Sequence, residues 1–314
     1  MSYALLFPGQ GSQAVGMGAD LFAAGSGYLG PRADRVLGWS LRDLCLDGPE
    51  EALTRTERAQ PALFAVSYAL WAVLRDRVPP PAAAAGHSLG EYTALAAAGS
   101  LTFEEGLRLV AARGAAMAGA ADLEPSGMAA LIGAGAAEAE SLCAARRANG
   151  GRLWVANLNA PGQVVVAGGS GDVEWAVAAG REHGIRRVVP LKVAGGFHSP
   201  FMAPAAGELA SALEEVRPGP AAFPVWANAT AAPHGADVAG TLVAQLTAPV
   251  RFAETLAGLA AAGIHRFVHV GPGDVTAGLA RRSVEGAEVI VVSSLAAVDG
   301  AAAAIAAGER GAGE

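Results

Sequence analysis

The sequence predicts an α/β protein with a smaller unit set into the larger one. Three observations predict it. Apolar runs of strand length alternate with helix-period segments along the chain. Residues 126–193 carry their own strand and helix order, distinct from what flanks them. A G-x-S-x-G pentapeptide, Gly86-His87-Ser88-Leu89-Gly90, sits where a strand should turn into a helix. With 314 residues, 52% of them apolar and 16% charged, the chain has ample material for a large core and an insert.

Residues 3–7 form a short apolar run closed by Pro8-Gly9-Gln10-Gly11-Ser12-Gln13, which reads as a buried strand ending in a glycine-rich turn. The turn lacks a Gly-Lys-Ser/Thr and so is no phosphate-binding loop; Gln10 offers an amide donor beside the sheet. Residues 27–77 read as helical, ending in a core helix over 61–77 with Pro61 at its first position. After the pentapeptide, Thr102-Phe-Glu-Glu105 is a capping box opening a helix to about 118. Phe103, Leu107, Val110, Gly114 and Met117 line its core face. Arg108 points to solvent, whereas Arg113 falls at the core margin and needs a carboxylate, either of the protein or of a ligand. Both readings stay open on spacing alone.

Within 126–193, strands are expected over 128–132, 153–157, 163–167 and 187–193, with helices over 136–148 and 173–183. That β-α-β-β-α-β order is the ferredoxin-like unit, and it implies a cleft where the insert meets the larger part. The expected units are therefore 1–125 with 194–314, and 126–193. Further on, strands are read at 225–228 and 267–270, helices at 238–246, 252–262, 275–282 and 296–308, and a frayed tail over 309–314.

Charge and cysteine content exclude several classes. A net charge of −7 and a pI near 5.4 speak against nucleic-acid binding, which needs a basic stripe to displace counterions. Cys45 and Cys143 have neither metal-like nor redox-like spacing, and are read as inert thiols in a reducing, cytoplasmic setting. Residues 1–7 carry no basic n-region and run straight into Pro8-Gly9, and the long uncharged stretches over 153–171 and 218–236 are broken by Asn, Gly and Pro, so neither a secretory leader nor a membrane span is expected.

The chemistry centres on Ser88. Flanking glycines permit a tight turn that lifts its hydroxyl clear, and the following helix would place the Leu89 amide where a developing negative charge is favoured. A chance match in an Ala- and Gly-rich chain is the alternative, since the strand before it, 82–85 after three prolines, is weak. A general base is sought among six histidines. His198, delivered by Gly195-Gly196-Phe197 from the last strand of the insert, is favoured; His269 is the rival, because hydrolases with this turn carry the histidine late in the chain.

Seven motifs in order then resemble one family: Phe7-Pro-Gly-Gln-Gly-Ser-Gln13, Gln60-Pro-Ala-Leu63, Gly86-His-Ser-Leu-Gly-Glu-Tyr92, Val110-Ala-Ala-Arg-Gly114, Asn157-Leu-Asn159 with Pro161-Gly-Gln-Val-Val165, Gly196-Phe-His-Ser-Pro200, and Val270-Gly-Pro-Gly273. The chain resembles the malonyl-CoA:acyl carrier protein transacylases and the acyltransferases of polyketide synthesis. The resemblance implies an α/β-hydrolase-like core with a parallel sheet and the ferredoxin-like insert. It implies that Ser88 is acylated, that His198 is its base oriented by Gln245, and that the amides of Gln10 and Leu89 form the oxyanion hole. Arg113 would take the free carboxylate of malonyl, a charge-assisted fork contributing about 1.5–3 kcal/mol. Asn157, Asn159, Gly196 and Phe197 would complete the substrate site.

Leu89 and Phe197 resemble the malonyl-type pattern, while Gly196 stands where polyketide relatives of that type mostly have Ala, an expected widening toward substituted malonyl units. The implied reaction moves malonyl from CoA through a serine ester to the phosphopantetheine thiol of an acyl carrier protein, without metal or redox cofactor, on a monomer. Arg186, Arg187, Arg281 and Arg282 are the candidate docking patch for an acidic carrier. A thioester hydrolase would share Ser88 and His198, but its relatives tend to lose the arginine.

Overall fold

A computed structural model describes residues 2–310 of the chain. Its strands are β1 (Tyr3–Phe7), β2 (Ala83–Gly86), β3 (Ser126–Ile132), β4 (Leu153–Ala160), β5 (Gln163–Gly169), β6 (Arg187–Pro190), β7 (Val225–Ala227), β8 (Ala232–Pro233), β9 (Arg266–Val270) and β10 (Glu288–Val292). They form a six-stranded sheet in the order β10-β9-β1-β2-β7-β8 and a four-stranded sheet in the order β4-β5-β3-β6.

The larger sheet is parallel except for β8. Strand β1 lies at its centre with all five residues buried, which is why its sequence is an unbroken apolar run rather than an alternation. Phe7 pairs with Gly86, so the turns that follow β1 and β2 emerge together at the carboxyl edge of the sheet, the edge where open α/β sheets place their ligands. The small sheet is antiparallel throughout and packs the helices Ala136–Ala148 and Ser170–Ala179 over its own buried cluster, including Leu131, Leu142 and Val166.

Two long helices, Thr56–Arg75 and Phe103–Leu123, pack against each other beside the parallel sheet. Glycines let them close: a Cβ on Gly106 would lie 2.3 Å from the Phe64 ring, and one on Gly114 2.8 Å from the Thr56 carbonyl. The capping box forms as expected, with Glu105 receiving the Thr102 amide at 2.8 Å and returning its own amide to the Thr102 hydroxyl at 3.3 Å.

Most expected elements fall within a few residues of the observed ones, and the β-α-β-β-α-β order is observed. The first core helix differs: it begins at Thr56, so Pro61 lies inside it. A proline one turn in forfeits a single hydrogen bond, and the buried Thr56 and Gln60 side chains, hydrogen-bonded to each other at 2.8 Å, hold the extra turn. Helix Ala203–Val216 and strands β8 and β10 are additional to the expected elements. The strand expected to reach residue 193 stops at Pro190. The last helix runs Val298–Arg310, so residues 309 and 310 of the expected frayed tail are helical; 311–314 lie outside the described residues. Cys45 and Cys143 are unpaired and buried, and burial raises both thiols to about 12. Among the described residues no helix is long and apolar enough to cross a membrane.

Candidate active site

The turn after β2 is as tight as its glycines require. Ser88 adopts φ 53°, a left-handed conformation that costs a non-glycine residue free energy. A Cβ on Gly86 would lie 1.9 Å from the Gly90 carbonyl carbon, and one on Gly90 2.4 Å from the Phe7 carbonyl oxygen. Neither neighbour can be larger. The helix Gly90–Ala97 starts immediately beyond, so the Leu89 amide sits at its N-terminal end. The turn after β1 packs onto the same place, with the His87 amide donating to the Phe7 carbonyl at 3.0 Å and Gly9 in contact with His87. Gln10 is thereby brought beside Ser88 and Leu89, all three lining one cleft of about 330 Å³.

The strained turn is clamped from below. The Ser88 amide donates to Asn228 Oδ1 at 2.6 Å, Asn228 Nδ2 donates to the Gly86 carbonyl at 2.7 Å, and Gln245 Nε2 donates to the Ser88 carbonyl at 3.1 Å. Glu91, fully buried in the first turn of the helix, ties these clamps together: its Oε2 accepts from the Asn228 amide at 2.8 Å and from Gln245 Nε2 at 2.7 Å, and its Oε1 faces His234 Nε2 at 2.8 Å. Asn228, Glu91 and His234 received no role from the sequence, although Glu91 stands inside the motif around Ser88. The signal was a carboxylate in a stretch otherwise small and apolar, a pattern that implies buried donors nearby.

His198 reaches Ser88. Its Nε2 is 2.8 Å from Ser88 Oγ and its Nδ1 2.9 Å from the main-chain oxygen of Gln245. Since Nδ1 must donate to a carbonyl, the proton resides there and Nε2 is left as acceptor for the serine hydroxyl. Burial, and after it the charge of Arg113, push the imidazole down to about 3. His198 also sits at φ 57°, so the ring is presented from a second left-handed turn. His269 is far from this role: its Nδ1 pairs with Thr276 Oγ1, in the helix Val275–Ser283, at 2.6 Å and its Nε2 with the Gly271 carbonyl, in the turn after β9, at 3.0 Å.

Arg113 proves to be 1% exposed rather than marginal. Its Nη1 donates to Gln60 Oε1 at 2.6 Å, and its Nη2 to Gln245 Oε1 at 2.8 Å and Ser88 Oγ at 3.0 Å, with the Tyr92 ring 5.4 Å from the guanidinium carbon. Burial lowers its pKa, opposed chiefly by Tyr92 and Glu91. Among the described residues no carboxylate forms an ion pair with it. The structural pairing is therefore not made.

Asn157 and Asn159 line the cleft from β4, whose pairing with β5 slips at Val155/Asn157 and again at Leu158/Ala160; bulges of this kind re-aim side chains. Asn159 Oδ1 is held 2.7 Å from His87 Nε2. Phe197 lines the cleft, but Gly196 does not. A Cβ added there would meet Ser126, Phe201 and Ser199 at 3.3–3.4 Å, so the expected widening of the substrate pocket at Gly196 is corrected: the position faces away from the cleft. Gln245 serves His198 through its main chain, while its side chain serves Arg113, Glu91 and Ser88. Arg186, Arg187, Arg281 and Arg282 are all exposed and do not line the cleft. Among the described residues no cluster of His, Cys, Asp or Glu could hold a metal ion.

Comparison with known proteins agrees with this geometry. The acyl transferase domain family matches residues 4–304. The malonyl CoA-acyl carrier protein transacylase of Bacillus subtilis is 39% identical over 294 residues, covering 92% of this chain and 93% of that protein. The polyketide biosynthesis protein ThaF of Burkholderia thailandensis is 40% identical over 282 residues, covering 89% of this chain and 24% of that much longer protein. Among solved structures, one of a type II PKS acyl-carrier protein in complex with its malonyl-transacylase superposes with a TM-score of 0.91 at 37% identity, covering 97% of this chain and 100% of that one. The Xanthomonas oryzae malonyl-CoA:acyl carrier protein transacylase gives 0.91 at 38% identity, covering 97% and 99%. A match over nearly the whole chain, joined to a serine held 2.8 Å from a histidine at the edge of a parallel sheet, leaves one assignment: the chain belongs to the acyl transferase family and is an acyltransferase.

Proposed function

We propose that the protein transfers a malonyl group from CoA to the phosphopantetheine thiol of an acyl carrier protein, in fatty acid or polyketide synthesis. The observation that carries the choice of acyl group is the buried Arg113, with Nη2 3.0 Å from Ser88 Oγ and, among the described residues, no carboxylate paired with it. A thioester whose acyl end bears a free carboxylate satisfies that cation at the atom where chemistry starts.

In the first half-reaction His198 Nε2 takes the Ser88 proton as Oγ attacks the thioester carbonyl. The oxyanion is stabilised by the amides of Gln10, in the turn after β1, and of Leu89, at the N-terminal end of the helix Gly90–Ala97, both of which line the cleft with Ser88. Collapse expels the CoA thiolate, which recovers the proton from His198, and leaves a malonyl ester on Ser88. In the second half the carrier thiol gives its proton to His198 and attacks the ester; Ser88 leaves and is reprotonated. Gln245 holds the Nδ1 proton through its carbonyl and keeps Arg113 in place through its side chain. Asn157, Asn159 and Phe197 bound the acyl and pantetheine region of the cleft. The chemistry needs no metal or redox group.

Carrier docking is assigned to Arg186, Arg187, Arg281 and Arg282, which are exposed and, among the described residues, free of carboxylate partners. The reading extends to architecture: residues 1–125 with 194–314 as an α/β-hydrolase-like unit, and 126–193 as a ferredoxin-like insert, supported by the strand order β4-β5-β3-β6. We place it as a cytoplasmic monomer without nucleic-acid or membrane partners. The test is intact-protein mass spectrometry after brief exposure to malonyl-, methylmalonyl- and acetyl-CoA. A malonyl adduct absent from Ser88→Ala supports the reading; thioester hydrolysis without any adduct replaces transfer by hydrolysis.

A further inference from the structure

The chain contains a single lysine, Lys192, against 21 arginines. It lies just past the end of β6, where the Val193 amide donates back to the Leu191 carbonyl at 3.0 Å. That three-residue turn has Lys192 at its apex, and the residue is exposed while lining the same cleft as Ser88. Among the described residues no carboxylate lies within ion-pairing distance of it. The cleft as a whole has a polarity the protein lacks. On a chain with net charge −7, its lining contains no Asp or Glu and two basic side chains, the buried Arg113 and the exposed Lys192. The rest of the lining includes apolar (Met117, Met128, Val165) and carboxamide (Gln13, Gln163) side chains.

We infer that Lys192 is a phosphate anchor: it binds the phosphate that terminates the pantetheine arm, while Arg113 binds the carboxylate at the acyl end. This rests on the transfer reading above and adds a second anionic subsite to it. Pantetheine phosphate is common to CoA and to a carrier protein's prosthetic group, so one residue would serve both half-reactions. An ammonium on a flexible stem suits a phosphate reached at the cleft mouth, where it acts as a point charge and needs no fixed fork.

Lys192 can be tested directly because it is unique. Reductive methylation with isotopically labelled formaldehyde gives one dimethyl-lysine signal besides the N-terminal amine, and keeps the charge. Titration with phosphopantetheine, dephospho-CoA or CoA should shift that signal, and pantetheine should not. A shift with CoA alone would assign the residue to the 3′-phosphate and overturn the shared-arm proposal, as would equal shifts with pantetheine or none at all. In kinetics, Lys192→Ala should lower kcat/KM for malonyl-CoA by about 3- to 10-fold at low salt, the effect shrinking as salt screens it, with Lys192→Arg restoring most of it. Loading from malonyl-pantetheine should be unchanged in both variants. Wild-type loading with no difference between the two donors would sink the Lys192 assignment alone; no wild-type loading from either would sink the transfer reading itself.

Discussion

Nδ1 of His198 lies 2.9 Å from the main-chain oxygen of Gln245, whereas the side chain of Gln245 turns the other way, to Arg113 and Glu91. One residue thus orients the base with its backbone and the carboxylate clamp with its amide. Gln245→Ala leaves the carbonyl in place. The tautomer of His198 and the acid limb of the pH profile are therefore expected to persist, while kcat/KM for malonyl-CoA falls by about 10-fold as Arg113 and Glu91 each lose a buried partner. Steady-state kinetics across pH separate the two contributions; a displaced acid limb would show that the side chain, too, governs the base.

Arg113→Ala should cost roughly 10- to 150-fold in loading from malonyl-CoA, with acetyl-CoA loading unchanged or improved. The ratio of the two adducts, read by mass spectrometry, is the measurement, and an unchanged ratio would return Arg113 to a structural role. Arg113→Lys should recover little, since a single ammonium cannot span Gln60, Gln245 and a ligand carboxylate at once.

The pH dependence follows from His198, whose pKa burial and Arg113 hold down at about 3. A base acts when neutral, so kcat/KM should stay flat as pH falls through the ordinary histidine range and decline only near pH 4 and below. When a malonyl carboxylate neutralises Arg113, one cause of the depression is removed, so the acid limb of kcat should lie above that of kcat/KM. Stability has the same sign of dependence. The unfolded chain binds this proton near pH 6.5 and the folded one near 3, so the His198 contribution is intact above pH 6.5 and is lost progressively between 6.5 and 3. Denaturant midpoints at pH 7 and pH 5 test it, with Ser88→Ala as a variant that retains the histidine.

Two glycine substitutions should separate. Gly86→Ala drives a Cβ into the Gly90 backbone and is expected to cost 3 kcal/mol or more, roughly 6–12 °C in Tm or outright loss of soluble protein. Gly196→Ala meets Ser126, Phe201 and Ser199 at 3.3–3.4 Å, a tight fit that a shift of a few tenths of an ångström relieves, away from the cleft. It should therefore leave the malonyl-to-methylmalonyl loading ratio within about 2-fold, and a larger change would mean that the 195–199 turn moves when substrate binds.

The amino-acid sequence by itself determined β1, the turn around Ser88 and the β-α-β-β-α-β order of 126–193, because burial of β1 demands an apolar run and the glycines at 86 and 90 leave no conformation but a tight turn; helix Ala203–Val216 and β10 carry no such local signature. It determined Ser88 and His198 as candidates, since both sit in local sequences that only a presented side chain explains. Register and long-range pairing were decided in three dimensions. Whether Arg113 meets a protein carboxylate depends on residues 53 and 132 positions away in sequence, and it meets Gln60 and Gln245 instead. That Glu91 braces the Ser88 turn through Asn228 and Gln245, more than 130 residues distant, could not be seen from a local pattern. Nor could the direction in which Gly196 faces. Local sterics are written into neighbouring residues; the partner of a buried polar group is set by how distant elements pack.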